Sequence, residues 1–406
     1  MFLVVLIFYS AGVGLAGLSD SIYTLIISRA IQGVGFAVIP LAIALITDEF
    51  PKEKVATAQG IISGTFAIGA TAGLVLGSYV VEDLGWRCAF YSAFILSLVL
   101  FALVSRTIKK DVPGQRTKMD YGGTVLLMSG ITFVLLYLTE GPTLGWTSWE
   151  NLAFLLPGLA ALVFFFVYEI RQSDPLIPLP LLRIRNVLMA NLIGIITGIS
   201  MFLIFFAVIY YAQLPKPYGL GLDIITTGLA AAPATLIMLV IGPLAGRAVT
   251  RIGPRPVLLI GSFVMMIGFF LFLFNRSTIS DTTIDISVAM SGFVCIIIPI
   301  INMVALSMPK ENIAVGLGIN TMLRNLGGAI GPVVATTIMS SFMVSIIVNV
   351  GGHPVVVGQA PSSTAFDLIF IVGIGLTAMI IVMSLLIKNY TFAASKKTPR
   401  SPPPSP

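Results

Sequence analysis

Charge is what this sequence has least of. Charged residues make up 10% of its 406 residues and apolar ones 57%. A soluble domain carries roughly 25% charged residues, so a water-soluble fold is excluded and a polytopic membrane protein is implied. Histidine occurs once, at His353 in a polar loop, and cysteine twice, at Cys88 and Cys295 in or beside apolar runs. That set excludes a usual zinc site and makes a structural disulfide unexpected. No nucleophile–base set, phosphate loop or metal cluster is spelled out, which argues against an enzyme. No Lys or Arg precedes Arg29, and the first apolar run has no small-residue cleavage site with a soluble chain behind it, so no cleavable signal peptide is expected. Acids are also missing from the middle of the apolar segments: Asp20, Asp120, Glu169 and Asp367 all stand at segment ends.

What is present is apolar length. Segments at about 2–19, 22–47, 56–80, 88–106, 121–139, 151–169, 187–212, 225–246, 256–274, 286–307, 314–347 and 366–388 are long enough to span a bilayer. With no water in the bilayer core these must be helices, giving an all-α polytopic bundle of 12 spans. The loops after even-numbered segments and the tail hold 18 of the 23 Lys and Arg residues. The loops after odd-numbered segments hold only Arg87, Lys216 and Arg276. By the positive-inside rule the even loops and both termini face the cytoplasm. The formal charge of +6 is thus a topology signal, and nucleic acid is not an expected partner.

A gapless repeat organises the chain. Pro51, Lys52, Glu53, Ala56, Gly60, Gly69 and Gly73 recur as Pro309, Lys310, Glu311, Ala314, Gly318, Gly327 and Gly331. In the first copy Gly69, Gly73 and Gly77 recur four apart and share one helix face; in the second, Gly327 and Gly331 do so, followed by Pro332. Such a stripe lets a second helix come into backbone contact. The repeat pairs the third segment with the eleventh, eight apart rather than six. The expected layout is therefore four helices remaining from an N-terminal half over 1–106, a central loop and inserted helix pair with connector over 107–186, a six-helix C-terminal half over 187–388, and a disordered cytoplasmic tail over 389–406. Two helices are expected to be absent before Met1.

Polar groups inside the segments are few. Arg29 and Gln32 are three apart on one face, with Gly33 and Gly35 permitting close approach; an intramembrane arginine should face protein or a water-filled cavity. Snorkelling to the interface is the alternative for Arg29. Arg324 shares a face with Asn320, where either substrate contact or a buried interhelical hydrogen bond accounts for them. Asn191 and Asn302, the latter near Pro299, are the polar breaks in two other segments.

These residues resemble the major facilitator superfamily. Arg29–Gly35, RAIQGVG, is similar to its RxxQGxG motif. Gly60, Gly69, Gly73 and Gly77 follow the antiporter motif, with Leu74 and Ser78 in place of its proline and last glycine. Gly246, Arg247, Arg251, Gly253 and Arg255 resemble its cytoplasmic gating loop, GxLaDRxGRR, with Thr250 where that loop has its acid. Gly141–Trp146 and Asp174–Pro178 look like connectors of the fourteen-helix drug:proton antiporter branch.

The resemblance implies two halves rocking about a midplane site. It implies export of drugs or lipophilic small molecules from the plasma membrane. Arg29, Gln32 and Arg324 are the transport candidates, and Asn191, Asn302 and Asn320 the cavity candidates. No cofactor is expected beyond a proton gradient. The expected partners are the bilayer and a small-molecule substrate, and the expected state is a monomer. The alternatives are transport of a defined small metabolite, or a truncated, inactive membrane protein.

Overall fold

The computed structural model describes residues 2–39, 41–42, 52–107, 120–172, 175–177, 179–309, 312–350 and 353–389. Nearly all of the expected tail, the basic stretch 108–118, Pro51, Lys310, Glu311, Asp174, Pro178 and the surroundings of Gly60 lie outside what it describes.

Among the described residues, helices stand where the apolar segments are. They are α1 (Phe2–Gly17), α2 (Ile22–Gly33), α3 (Lys52–Leu84), α4 (Trp86–Thr107), α5 (Tyr121–Leu144), α6 (Trp149–Arg171), α7 (Arg185–Gln213), α8 (Ile224–Ile252), α9 (Pro254–Phe274), α10 (Ile279–Ser307), α11 (Ile313–Ser341) and α12 (Ser363–Leu385). A single 3-10 turn, Val34–Ala37, extends α2, and a short helical turn, Leu179–Leu182, precedes α7. Eight of the helices (α4 to α10, and α12) are long and apolar enough to cross a membrane, and α1 and α2 with its extension are shorter apolar helices. The chain is a multi-pass helical membrane protein.

Short polar side chains set where helices start. Ser21 with Thr24, and Thr278 with Asp281, form reciprocal capping boxes at α2 and α10. Ser148 caps α6 and Ser362 caps α12. The Thr278 box carries α10 seven residues beyond the expected start at 286, because the cap supplies the free amides that the apolar count does not see. At the other end of the chain the expected segment 314–347 is corrected. α11 stops at Ser341, and Met343–Val350 pairs antiparallel with His353–Pro361 as β1 and β2, with an irregularity at Ile346/Ile347. The run MVSIIVNV is β-branched and alternates, and so forms a strand rather than more helix.

Two compact units make up the chain: Met1–Pro178 with Ala212–Pro233, and Leu179–Tyr211 with Ala234–Pro406. In the first, α5 and α6 pack as a pair: a Cβ at Gly130 would meet Leu162, one at Gly158 would meet Phe133 and Val134, and one at Gly122 would meet Tyr168. In the second, α9, α10 and α12 enclose a core in which Phe269, Phe272, Phe366, Phe370, Leu258, Met265 and Met290 are fully buried. Phe272 and Phe370 stack with centroids 5.1 Å apart.

One end of the second unit is tied by side chains. Arg185 and Asn186 at the start of α7 hold the carbonyls of Leu386 and Lys388 at 2.8 and 3.1 Å. Asn389 donates to the Ile252 carbonyl and accepts from the Arg255 amide at 3.1 and 3.2 Å, so it bridges the end of α8 and the start of α9.

Candidate functional site

Most of the expected polar residues of the second unit lie in one seam between α7 and α11. The glycines make that seam possible. A Cβ at Gly331 would sit 2.7 Å from the Ile199 carbonyl and 2.8 Å from the Leu203 amide. Cβ atoms at Gly198 and Gly327 would collide with the carbonyls of Arg324 and Ile195. Only hydrogen fits at these positions, so the two backbones touch. Pro332 follows inside α11 and removes one donor from its ladder.

Within the seam Asn320 is 1% and Asn191 4% exposed. The Asn320 amide donates to the Ala190 carbonyl at 3.1 Å and to Asn191 Oδ1 at 3.0 Å. The expected face-sharing of Asn320 and Arg324 therefore resolves for Asn320 into an interhelical bond. Arg324 is half-buried one turn further along, and among the described residues it makes no ion pair. Asn302 does not join the seam's hydrogen bonds: its amide donates to the Ile298 carbonyl of its own helix at 2.9 Å, beside Pro299.

In the first unit Arg29 and Gln32 share a face as expected: Arg29 Nη1 donates to Gln32 Oε1 at 3.0 Å, and the guanidinium lies 4.9 Å from the Phe90 ring centroid. Arg29 is exposed rather than enclosed by the unit. Close approach there comes from Gly12, whose Cβ would strike the backbone of Gln32 and Ser28, and from Gly35, which faces the Tyr9 ring. A Cβ at Gly33 would meet no described atom within 4 Å.

Cβ atoms at Gly69, Gly73 and Gly77 would meet no described atom within 4 Å. α3 meets Gly228 of α8 through the two departures from the motif. A Cβ at Gly228 on α8 would lie 2.6 Å from Ser78 Oγ and 3.0 Å from the Leu74 carbonyl. Glu82 Oε2 accepts the Ile224 amide at the start of α8 at 3.3 Å. Hydrogen bonds from the Thr226 amide and hydroxyl hold the Asp223 carboxyl beside it below its ordinary value.

The expected gating-loop residues span the junction of α8 and α9. α8 runs through Gly246, Arg247 and Arg251 to Ile252, Gly253 turns the chain at φ 88°, and α9 begins at Pro254, followed by Arg255. That φ is one that L side chains rarely adopt. Thr250, standing at the acid's position, donates to the Arg247 carbonyl at 2.8 Å and reaches no further. Arg247 and Arg251 are exposed.

Three groups were not visible as site residues in the sequence. Asp285, 2% exposed, lies within α10, and its Oδ2 has no partner among the described residues. Glu169, also 2% exposed, accepts the Ile177 amide through Oε1, while its Oε2 and Asp120 Oδ2 are buried without partners at the shared end of α5 and α6. Arg276 joins three elements, 2.7 Å from Asp367 and over the rings of Tyr211 and Phe370. Each stands at a segment boundary, where apolar counting is least informative. The ISD and IDIS spellings near 279–287 were the available signal for Asp285.

The geometry can now be set beside known proteins. Residues 1–332 match the family model of the Major Facilitator Superfamily. The multidrug resistance protein Stp of Mycobacterium tuberculosis is 27% identical over 331 residues, covering 80% of this chain and 61% of that protein. The multidrug export protein EmrB of Escherichia coli is 26% identical over 335 residues, covering 80% of this chain and 64% of that protein. The chain thus spans less than two thirds of the length of these curated relatives. A crystal structure of a POT family transporter in complex with 5-aminolevulinic acid covers 95% of this chain and 81% of its own, with a TM-score of 0.61 at 15% identity, a likeness of fold. A motif order carried by a multi-pass helical fold, matched by the family model over four fifths of the sequence, makes this chain a member of the Major Facilitator Superfamily.

Proposed function

We propose that the chain is part of a secondary active transporter that exports drugs or lipophilic small molecules by proton antiport with alternating access. In this reading the even loops and both termini are cytoplasmic, in the plasma membrane, as the placement of 18 of its 23 Lys and Arg residues supports. The observation that carries the reading is Arg324: a half-buried guanidinium inside α11 with no ion pair among the described residues, beside a seam rigid enough to hold it. An ionisable group inside a membrane helix persists for a functional reason, because its burial costs several kcal/mol. Two of the expected cavity amides are committed to each other and a third to its own helix. That leaves few groups to read a polar metabolite, so a lipophilic substrate with one acceptor or anionic group fits better than a defined polar solute. The multidrug names of the relatives point the same way.

The test is dye efflux from cells expressing the complete protein, with and without a proton uncoupler. Efflux is expected, abolished by the uncoupler and lost in Arg324→Ala at unchanged membrane abundance. No efflux from wild type ends the export reading; undiminished efflux from Arg324→Ala ends the role of Arg324.

A further inference from the structure

The helix pair α5 and α6 ends in two buried acids. Glycines fix the register of the pair: a Cβ at Gly130 would meet Leu162, and one at Gly123 would meet Glu169. The start of α5 therefore lies against the last turn of α6. Asp120 stands there as the cap of α5, its Oδ1 accepting the Gly123 amide at 2.9 Å. Glu169 is 2% exposed, and its Oε1 accepts the amide of Ile177 in the connector. One oxygen of each carboxyl is thereby used. The others, Asp120 Oδ2 and Glu169 Oε2, are buried with no hydrogen-bond partner among the described residues.

The two spare oxygens turn to the same place. A Cβ at Gly123 would collide with Asp120 Oδ2 and lie 3.0 Å from Glu169 Oε2. They border one small space, which a side chain at position 123 would close. Tyr168 brings its hydroxyl to the neighbouring position, 2.7 Å from where Gly122 would carry a Cβ. Every donor gathered here is an oxygen.

Two carboxylates at this depth carry two negative charges out of water, a cost that partners must offset. Arg171, two residues beyond Glu169, is exposed and makes no ion pair among the described residues. Helix direction treats the two acids differently. Asp120 stands at an N-terminus, which favours an anion. Glu169 stands in the last turn of α6, where the carbonyl ends disfavour an anion and favour a cation. A proton shared by the pair would bridge the two oxygens and still leave one negative charge. A divalent cation answers both oxygens and both charges. Carboxylates, a hydroxyl and water are hard ligands, which suit calcium or magnesium rather than zinc or copper.

We propose that Asp120 and Glu169 hold one divalent metal ion of this hard class between them, with Tyr168 at its edge. The ion clasps the start of α5 and the end of α6, and through them the connector at Ile177. Glu169 is the centre of that clasp, since one oxygen takes the ion and the other takes the connector's amide. None of these residues belongs to the α7–α11 seam, and the site does not depend on the transport reading.

The test is thermal unfolding of the complete protein in detergent after treatment with EDTA, read again as calcium or magnesium is added at constant ionic strength. Wild type is expected to gain several degrees in Tm, saturating with concentration, as a ligand of the folded state requires. In Glu169→Gln the amide oxygen can still accept from Ile177 while the amide nitrogen donates to Asp120 Oδ2. That variant is expected to fold, to unfold no lower than EDTA-treated wild type, and to ignore both ions. Asp120→Asn, which keeps a capping side chain, is expected to ignore them too. Glu140→Gln, which removes an acid near the opposite end of α5, should respond as wild type does. A wild-type Tm that neither ion moves overturns the assignment, as does an equal rise with sodium or an undiminished response in Glu169→Gln. Isothermal titration of wild type with calcium gives a second reading that no variant's folding can obscure. One saturable site per chain is expected, and heat that never saturates overturns the site.

Discussion

The two copies of one motif end in opposite surroundings. Gly327 and Gly331 of α11 lie against the backbone of α7, so close that a methyl group would meet main-chain atoms. Cβ atoms at Gly69 and Gly73, their partners in the repeat, and at Gly77 would meet no described atom within 4 Å on α3. The contact α3 makes with Gly228 of α8 runs through Leu74 and Ser78, about 100° round the helix from Gly73 and Gly77. A glycine stripe therefore records the capacity for close approach and does not name the helix that uses it. In α11 the capacity is used by a neighbour whose own Gly194 and Gly198 are complementary. In α3 the motif's proline and last glycine are replaced, and the replacements carry the contact.

The largest effect should come where the seam is closed. Gly327→Leu would drive a branched side chain into the Ile195 carbonyl, and main chain in a packed helix pair cannot turn aside as a side chain can. Overpacking of that kind costs about 3 kcal/mol or more. The expected result is poor expression or a strongly lowered Tm in detergent. A variant with the wild-type Tm would show that α7 and α11 are not in backbone contact, and the contrast between the copies would collapse.

Gly228→Leu probes the face of α3 that is in use. Ser78 Oγ can rotate away from the added atoms, but the Leu74 carbonyl cannot. The expected loss is about 1–2 kcal/mol, visible as a modest fall in Tm and restored in part by Ser78→Gly. If Ser78→Gly restores nothing, the hydroxyl is not the obstacle, and the carbonyl of Leu74 alone sets the approach.

How much of this was written in the sequence follows from what each signal can carry. Apolar length located the helices because the bilayer demands one kind of segment. It placed α11 and α10 wrongly at their ends, since a β-branched strand from Met343 and a capping box at Thr278 are both invisible to apolar counting. Of the candidate site, Asn320 with Asn191 and Arg29 with Gln32 were legible as polar breaks in apolar runs, and the structure bonds both pairs. Asn389 and Arg276 were not legible, because each acts on elements distant in the chain. Gly73 and Gly331 are identical in the repeat, and only the residue after each, Leu74 against Pro332, hints that the two stripes differ.

The smallest effect belongs to the open stripe, and it is the sharper test for being small. Gly73→Leu adds four carbons where no described atom lies within 4 Å. Glycine is also the poorer helix former, by about 1 kcal/mol against Ala. The substitution should therefore leave stability within about 0.5 kcal/mol of wild type, and a clear fall in Tm would mean that α3 is packed through this face in the resting protein. Transport is the second reading of the same variant. If the stripe is used only when another helix closes on it during the cycle, Gly73→Leu keeps its stability and loses efflux. Unchanged stability with unchanged efflux means the stripe is not used at all, and the contrast between the copies then holds throughout the cycle.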